Sequence, residues 1–239
     1  MSKNLQDKNI RTLGYVLKRT NYGEADRILN IITPLGKISA IARGVRKEKS
    51  RLAGGVELFS LIDFNIYRGR GELGIVTSAK MLKYYGEILK DYTKMELASE
   101  ILRRVSKASN SSDNERFFAI VDQSLSALNG TIDVRLVRCW FVLTLLGAVG
   151  EEVNLYRDGK GDKLAPDKNY EWSIANEAFQ EDDSGRYGVN EIKTLRLMAT
   201  ANIELIRRVK INEDLIIRLV EFVKVVGEVV YGRGFTDML

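Results

Sequence analysis

Five cations fall close together in this sequence: Arg43, Arg46, Lys47, Lys49 and Arg51, with Glu48 as the one anion among them. Gly44 lies inside the run and Gly54-Gly55 follow it, which lets the backbone bend. A flexible basic loop can follow a phosphate backbone without reading bases, because each neutralised phosphate releases counterions whatever the sequence. Arg68 and Arg70 add two charges at a Gly69-Arg70-Gly71 turn. Tyr15, Tyr22, Phe59 and Tyr67 belong to the same stretch and could stack on bases. Phe59 is expected in the core, and Tyr67, outward by parity, is divided between stacking and packing.

A second group, Asn21-Tyr-Gly-Glu-Ala-Asp-Arg-Ile28, holds the carboxylates Glu24 and Asp26. Paired carboxylates can hold a metal or exchange protons. No third ligand stands at a sensible spacing, so the expectation is a structural turn in which one of them pairs a local arginine. Glu177, Glu181, Asp182 and Asp183 lack the spacing of a Ca²⁺ loop and read as a solvated segment.

Composition narrows the chemistry. The 239 residues contain no histidine and one cysteine, Cys139. An internal disulfide, a cysteine-based metal cluster and histidine acid–base catalysis are therefore excluded. Net charge is +5, unevenly distributed: residues 1–80 hold 15 Lys/Arg against 7 Asp/Glu, and the remainder 22 against 25. A basic front part suggests an electrostatic binding module joined to something else. The N-terminal residues show no apolar run or cleavage signature, and the apolar run Cys139–Gly150 is too short to span a bilayer. A cytoplasmic protein is expected.

The elements that must position the cations read as strands. Arg11–Arg19, Asp26–Thr33, Lys37–Arg43, Leu58–Tyr67 and Glu72–Lys80 are rich in β-formers or alternate in polarity. In the fourth, Ile62, Phe64 and Ile66 point inward and Asp63, Asn65 and Tyr67 outward. Five strands with a long basic connection between the third and fourth fit a small closed barrel, for which an oligonucleotide-binding (OB) fold is the natural candidate. Past residue 81 the period turns helical. Asp91–Ala108 is amphipathic, Ser112 with Glu115 forms a capping-box pattern, and Thr131–Leu146 reads as a buried central helix. Asn190 and Asn212 are expected to cap two further helices. Glu151–Gly188 is polar and Gly/Asp/Asn-rich. The expected class is α+β: an OB barrel over 1–80 and a helical domain over 81–239 with a polar insertion at 151–188.

Several pieces in series resemble the bacterial RecO family over roughly residues 10–80. They are Tyr22-Gly-Glu-Ala-Asp-Arg-Ile-Leu29, Thr33-Pro-Leu-Gly-Lys37, Ala42-Arg-Gly-Val-Arg-Lys47, Lys49-Ser-Arg-Leu52, Glu57-Leu-Phe59 and Tyr67-Arg-Gly-Arg-Gly-Glu-Leu73. Leu145-Leu-Gly147 adds a weaker match in the helical part. The resemblance implies a non-enzymatic repair mediator that uses no cofactor. It would bind single- and double-stranded DNA, anneal complementary strands, and act with RecR to help RecA load on DNA coated by single-strand-binding protein (SSB). Arg43, Arg46, Lys47, Lys49 and Arg51 would contact phosphates, joined by Arg68, Arg70 and Tyr67. A groove for the acidic, apolar SSB tail would take its cationic rim from Arg103, Arg104, Arg135, Arg138, Arg207 and Arg208. Many family members carry a four-cysteine zinc site after the Leu-Leu-Gly helix; residues 147–188 here contain neither cysteine nor histidine, so thiolate zinc is unavailable. Tyr156, Tyr170, Trp172 and Phe179 are candidates to hold that segment by packing. The ending Gly232–Leu239 does not match the family closely. Two other readings stand beside this one: a helical interaction scaffold whose barrel is only structural, and a carboxylate-metal nuclease using Glu24 and Asp26.

Overall fold

The computed structural model describes residues 8–69, 71, 73–109 and 114–231, and the chain divides into two compact units, Met1–Thr131 and Ile132–Leu239. Arg70, Ser112 and the Gly232–Leu239 ending lie outside the described residues.

The first unit holds β1 (Asn9–Tyr22), β2 (Asp26–Thr33), β3 (Gly36–Ala42), β4 (Ser60–Tyr67) and β5 (Gly74–Tyr84), then α1 (Tyr92–Ala108) and α2 (Asn114–Asn129). β1 pairs with β2 through its C-terminal half and with β4 through its N-terminal half. β5 pairs antiparallel with β4 and parallel with β3, so the ring of pairings closes in the order β1-β2-β3-β5-β4. A register shift between Val16 and Lys18 lets the long β1 bend from one partner to the other. This is the OB barrel. Its interior is filled by Val16, Leu29, Ile31, Ile38, Ile62, Phe64, Ile66 and Val76, each fully buried side chain contributing about 1.5–3 kcal/mol relative to exposure. The alternation read in β4 holds: Ile62, Phe64 and Ile66 are buried while Tyr67 is exposed.

Two helices complete this unit. Asp91 caps α1, accepting the Lys94 N–H at 3.1 Å. A buried polar cluster ties barrel to helices. The Tyr15 hydroxyl donates to the Asp122 carboxylate on α2 and meets the Tyr85 hydroxyl at 2.9 Å. Burial first, and Asp122 second, push the Tyr15 phenol far above its ordinary pKa, so it stays a donor. Lys37 Nζ on β3 donates to the Ser106 carbonyl of α1 at 2.8 Å.

The second unit is built on α3 (Val134–Val149), buried almost all round as its composition requires. Asp133 caps it by accepting the Arg135 N–H at 2.8 Å. It ends at Gly150, whose φ of 88° is the left-handed conformation that glycine adopts without steric cost. α4 (Val189–Thr200), α5 (Ile203–Ile206) and α6 (Glu213–Tyr231) follow. Asn212 caps α6 as expected, accepting the Leu215 N–H at 3.0 Å. Asn190 does not cap α4; it lies inside the first turn. Gly188 holds the cap position, and its N–H donates to Glu191 Oε2 at 3.0 Å.

The polar segment between α3 and α4 also carries a short antiparallel hairpin, β6 (Tyr170–Ser173) with β7 (Ala178–Glu181). Four aromatic rings pin it to α6. Phe179 stacks on Phe222 with centroids 5.5 Å apart, and Trp172 meets both edge-on at 5.0 and 5.1 Å. Tyr187 closes the cluster at 5.7 Å from Phe179 and 5.5 Å from Phe222. Tyr170 joins through Phe179, whereas Tyr156 is exposed and lies under the Arg196 guanidinium instead.

Candidate nucleic-acid interface

The basic run follows β3 directly and is a built loop. Gly44 takes a φ of 63°, which a side chain would strain, and its N–H donates to Asp26 Oδ1 at 2.7 Å. The Arg46 N–H donates to the Ala25 carbonyl at 2.9 Å, and the Arg46 guanidinium reaches the Gly23 carbonyl at 3.3 Å. Turns then repeat, Lys47 N–H to the Gly44 carbonyl and Ser50 N–H to the Lys47 carbonyl. Val45 and Val56 anchor the loop in the barrel core. Gly55 allows a short helical turn to press on β5: a Cβ there would lie 2.3 Å from the Ala79 carbonyl oxygen.

The anchoring turns the charges outward. Arg43, Arg46, Lys47, Lys49 and Arg51 are all exposed. Among the described residues none of the five forms an ion pair. Arg19 on β1 is instead paired to Glu57 at 2.7 Å, and Arg11 to Asp63 at 2.6 Å. The loop therefore presents five exposed cations that are not committed to carboxylates among the described residues.

The aromatic candidates separate cleanly. Tyr15 and Phe59 are buried, while Tyr22 is 55% and Tyr67 40% exposed. Tyr22 immediately precedes the turn that braces the loop. Tyr67 pairs with Ile75, and Ile75 with Ile41, two residues before Arg43. Two strand spacings put the Tyr67 backbone roughly 10 Å from the root of the loop. Arg68, half-buried, follows Tyr67, and its N–H donates to the Lys8 carbonyl at 2.7 Å. Arg70 lies outside the described residues.

Glu24 stands in the turn before β2, and Asp26 at the start of β2. Asp26 spends its carboxylate on the Gly44 amide, and Glu24 is exposed in the turn. The expected arginine partner is replaced by a backbone donor. This brace was missed from sequence because Asp26 and Gly44 lie 18 positions apart with no shared motif.

The six arginines proposed as a rim divide between the units: Arg103 and Arg104 in the first, Arg135, Arg138, Arg207 and Arg208 in the second. Arg104 is not a rim residue; it is buried beside Glu100 at 2.6 Å, the two side chains being 9% and 4% exposed. Arg138 is buried in α3, where burial of the helix on all sides takes it from the surface. Arg135 is committed to Asp133 and Glu213, and Arg207 to Glu204 at 3.4 Å. Arg103 and Arg208 are exposed.

An OB barrel with an outward basic loop, followed by helices, defines the class: a two-part OB-fold protein. Two family models, described as Recombination protein O N terminal and Recombination protein O C terminal, match residues 7–85 and 89–237. The chain belongs to the RecO family. It is 35% identical over 155 residues to a DNA repair protein RecO of Roseiflexus sp. (strain RS-1), covering 64% of this chain and 54% of that one. A protein of the same name from Rubrobacter xylanophilus is 35% identical over 119 residues, covering 49% and 48%. The matches thus span about half the length of these two relatives. The Dehalococcoides mccartyi protein of that name aligns over 88% of this chain and 86% of its own, at 28% identity. Among the described residues no helix is long and apolar enough to cross a membrane.

Proposed function

We propose that this chain is a non-enzymatic mediator of recombinational repair, acting in the cytoplasm at the nucleoid. It binds single- and double-stranded DNA through the barrel, anneals complementary strands, and acts with RecR to help RecA load on SSB-coated DNA. The observation that carries this reading is the basic loop: five exposed cations that form no ion pair among the described residues, on a backbone braced by Asp26. Annealing requires two polyanions to approach each other. A cationic surface lowers their repulsion and gains entropy from released counterions. Readout of base edges would hinder it, and a loop that presents only charge, with Tyr22 and Tyr67 as stacking surfaces, suits sequence-blind binding. Arg68, and Arg70 outside the described residues, are proposed as further phosphate contacts. Of the six arginines considered for the protein partner, Arg103 and Arg208 are exposed and, among the described residues, in no ion pair.

The test is annealing of complementary strands coated with SSB. Arg46→Ala, Lys47→Ala and Lys49→Ala combined should abolish most of the stimulation while leaving the fold intact. A scaffold with a merely structural barrel would anneal, or fail to anneal, identically with and without the three substitutions.

A further inference from the structure

Four large apolar side chains between residues 82 and 92 stay exposed: Leu82 at 50%, Tyr84 at 48%, Leu89 at 49% and Tyr92 at 72%. They stand at the end of β5, in the short helical turn Gly86–Lys90 and on the first residue of α1. Exposed apolar groups gathered in one place mark interaction surfaces, as scattered ones do not. The backbone beneath them is fixed. The Tyr85 N–H donates to the Phe59 carbonyl at 3.0 Å, and the Tyr85 ring turns inward to meet the Tyr15 hydroxyl. The Glu87 N–H donates to Asn129 Oδ1 at 3.0 Å. Gly86 leaves room for the Tyr84 ring, whose edge would lie 3.1 Å from a Cβ at that position.

Charge on this surface is nearly balanced. Lys80 and Lys83 are exposed and, among the described residues, in no ion pair. Glu87 is paired with Lys90 at 2.7 Å, Asp91 accepts the Lys94 N–H, and Glu96 is half-buried. The rings are therefore what distinguishes it. The basic loop leads to them. It leaves β3 beside the start of β5, sets Gly55 against Ala79, and rejoins the barrel at Phe59, against Tyr85. Five residues of strand at about 3.3 Å each put Tyr84 roughly 17 Å beyond Ala79.

We propose that Tyr84 and Tyr92 form a base-stacking platform for single-stranded nucleic acid, and that this platform sets a preference for single strands over duplex. The proposal rests on the barrel as the DNA-contacting part and adds what the loop lacks. Charge meets the phosphates of either form, whereas only unpaired bases have free faces for a tyrosine ring. Phosphates lie along the loop, and the bases further along the strand cover Tyr84, Leu82 and Tyr92. A protein face is the other class of occupant for such a surface. The run of the loop into the platform favours nucleic acid, as does the charge of the first unit, 22 Lys/Arg against 14 Asp/Glu over residues 1–131.

The test compares the full chain with its Tyr84→Ala, Tyr92→Ala variant on an oligothymidylate and on a duplex of equal length. The variant should bind oligothymidylate roughly tenfold or more weakly, the usual effect of losing a stacking ring. Its duplex affinity should be unchanged. The slope of log K against log salt should also keep its wild-type value, since no phosphate contact is removed. Tyr84→Phe with Tyr92→Phe keeps both rings and should bind as wild type does. Equal losses on both nucleic acids would overturn the platform as the source of single-strand preference. Unchanged oligothymidylate affinity would overturn the platform and leave the loop reading standing; weaker annealing on SSB-coated strands in that same variant would assign the surface to a protein partner. A wild-type chain that binds neither nucleic acid would overturn the function on which the platform rests, and the platform with it.

Discussion

Asp26 Oδ1 accepts the Gly44 N–H at 2.7 Å and so fixes the root of the basic loop to the β1–β2 turn. The Asp26 carboxylate is committed to the backbone beneath the cations rather than to their charges. The loop keeps its positive field and acquires a shape.

This relationship gives an unusual sign. Asp26→Ala raises the net charge by one, which on electrostatics alone would strengthen DNA binding. The brace is a hydrogen bond to a charged acceptor, and its loss should cost about 1.5–3 kcal/mol. Annealing should therefore fall, with a lower melting temperature, while Asp26→Asn, which keeps an acceptor oxygen, recovers most of both. Stronger annealing by the alanine variant would show that the loop needs no bracing.

The aromatic cluster around Phe222 holds the β6–β7 hairpin against α6. Phe222→Ala should destabilise the second unit by about 3–5 kcal/mol, the usual cost of emptying a buried aromatic site. Denaturant unfolding followed by Trp172 fluorescence reads it. A loss below about 1 kcal/mol would mean that the rings merely coexist.

Acid should loosen the start of α3. Hydrogen bonding to Arg135 lowers the pKa of Asp133 and also that of exposed Glu213. For a depressed carboxylate the stabilisation is complete above the unfolded value, near 4, and is lost as pH falls through the folded value. Denaturant midpoints should thus decline below about pH 4. Arg135→Met should flatten that decline and lower the midpoint at neutral pH. An unchanged acid limb would mean the pairs contribute nothing.

Cys139 is buried in α3, and burial raises its thiol to about 12. Alkylation by iodoacetamide at pH 8 should therefore follow global unfolding, with a rate that tracks denaturant concentration. Rapid alkylation of the native chain would contradict the packing of α3.

Much of this architecture was legible in the sequence, for physical reasons that differ by element. β2 was bounded by Pro34 and matched residue for residue as Asp26–Thr33. β4 alternates because one of its faces lines the barrel. The sequence pattern of β5 ends at Lys80, yet the strand runs on to Tyr84; pairing with β4 carries it past the point where its own alternation fades. The β6–β7 hairpin was invisible because only Tyr170, Ala178 and Phe179 of its eight residues are buried, too few to set a period. At the site, the cations announced themselves by charge density. Their brace did not, since Asp26 and Gly44 meet only through the pairing of β2 with β3. Arg104 and Arg138 looked like surface charges because a helix pattern gives a face but not what covers it.

The most direct measurement is the salt dependence of single-stranded DNA affinity, compared between wild type and the Arg46→Ala, Lys47→Ala, Lys49→Ala variant. With four or five phosphates neutralised at roughly 0.7 each, the wild-type plot of log K against log salt should have a slope of about −3. Removing three contacts should bring it to about −1. A wild-type slope near zero, or one that the three substitutions leave unchanged, would contradict the assignment of the loop as the DNA-contacting surface.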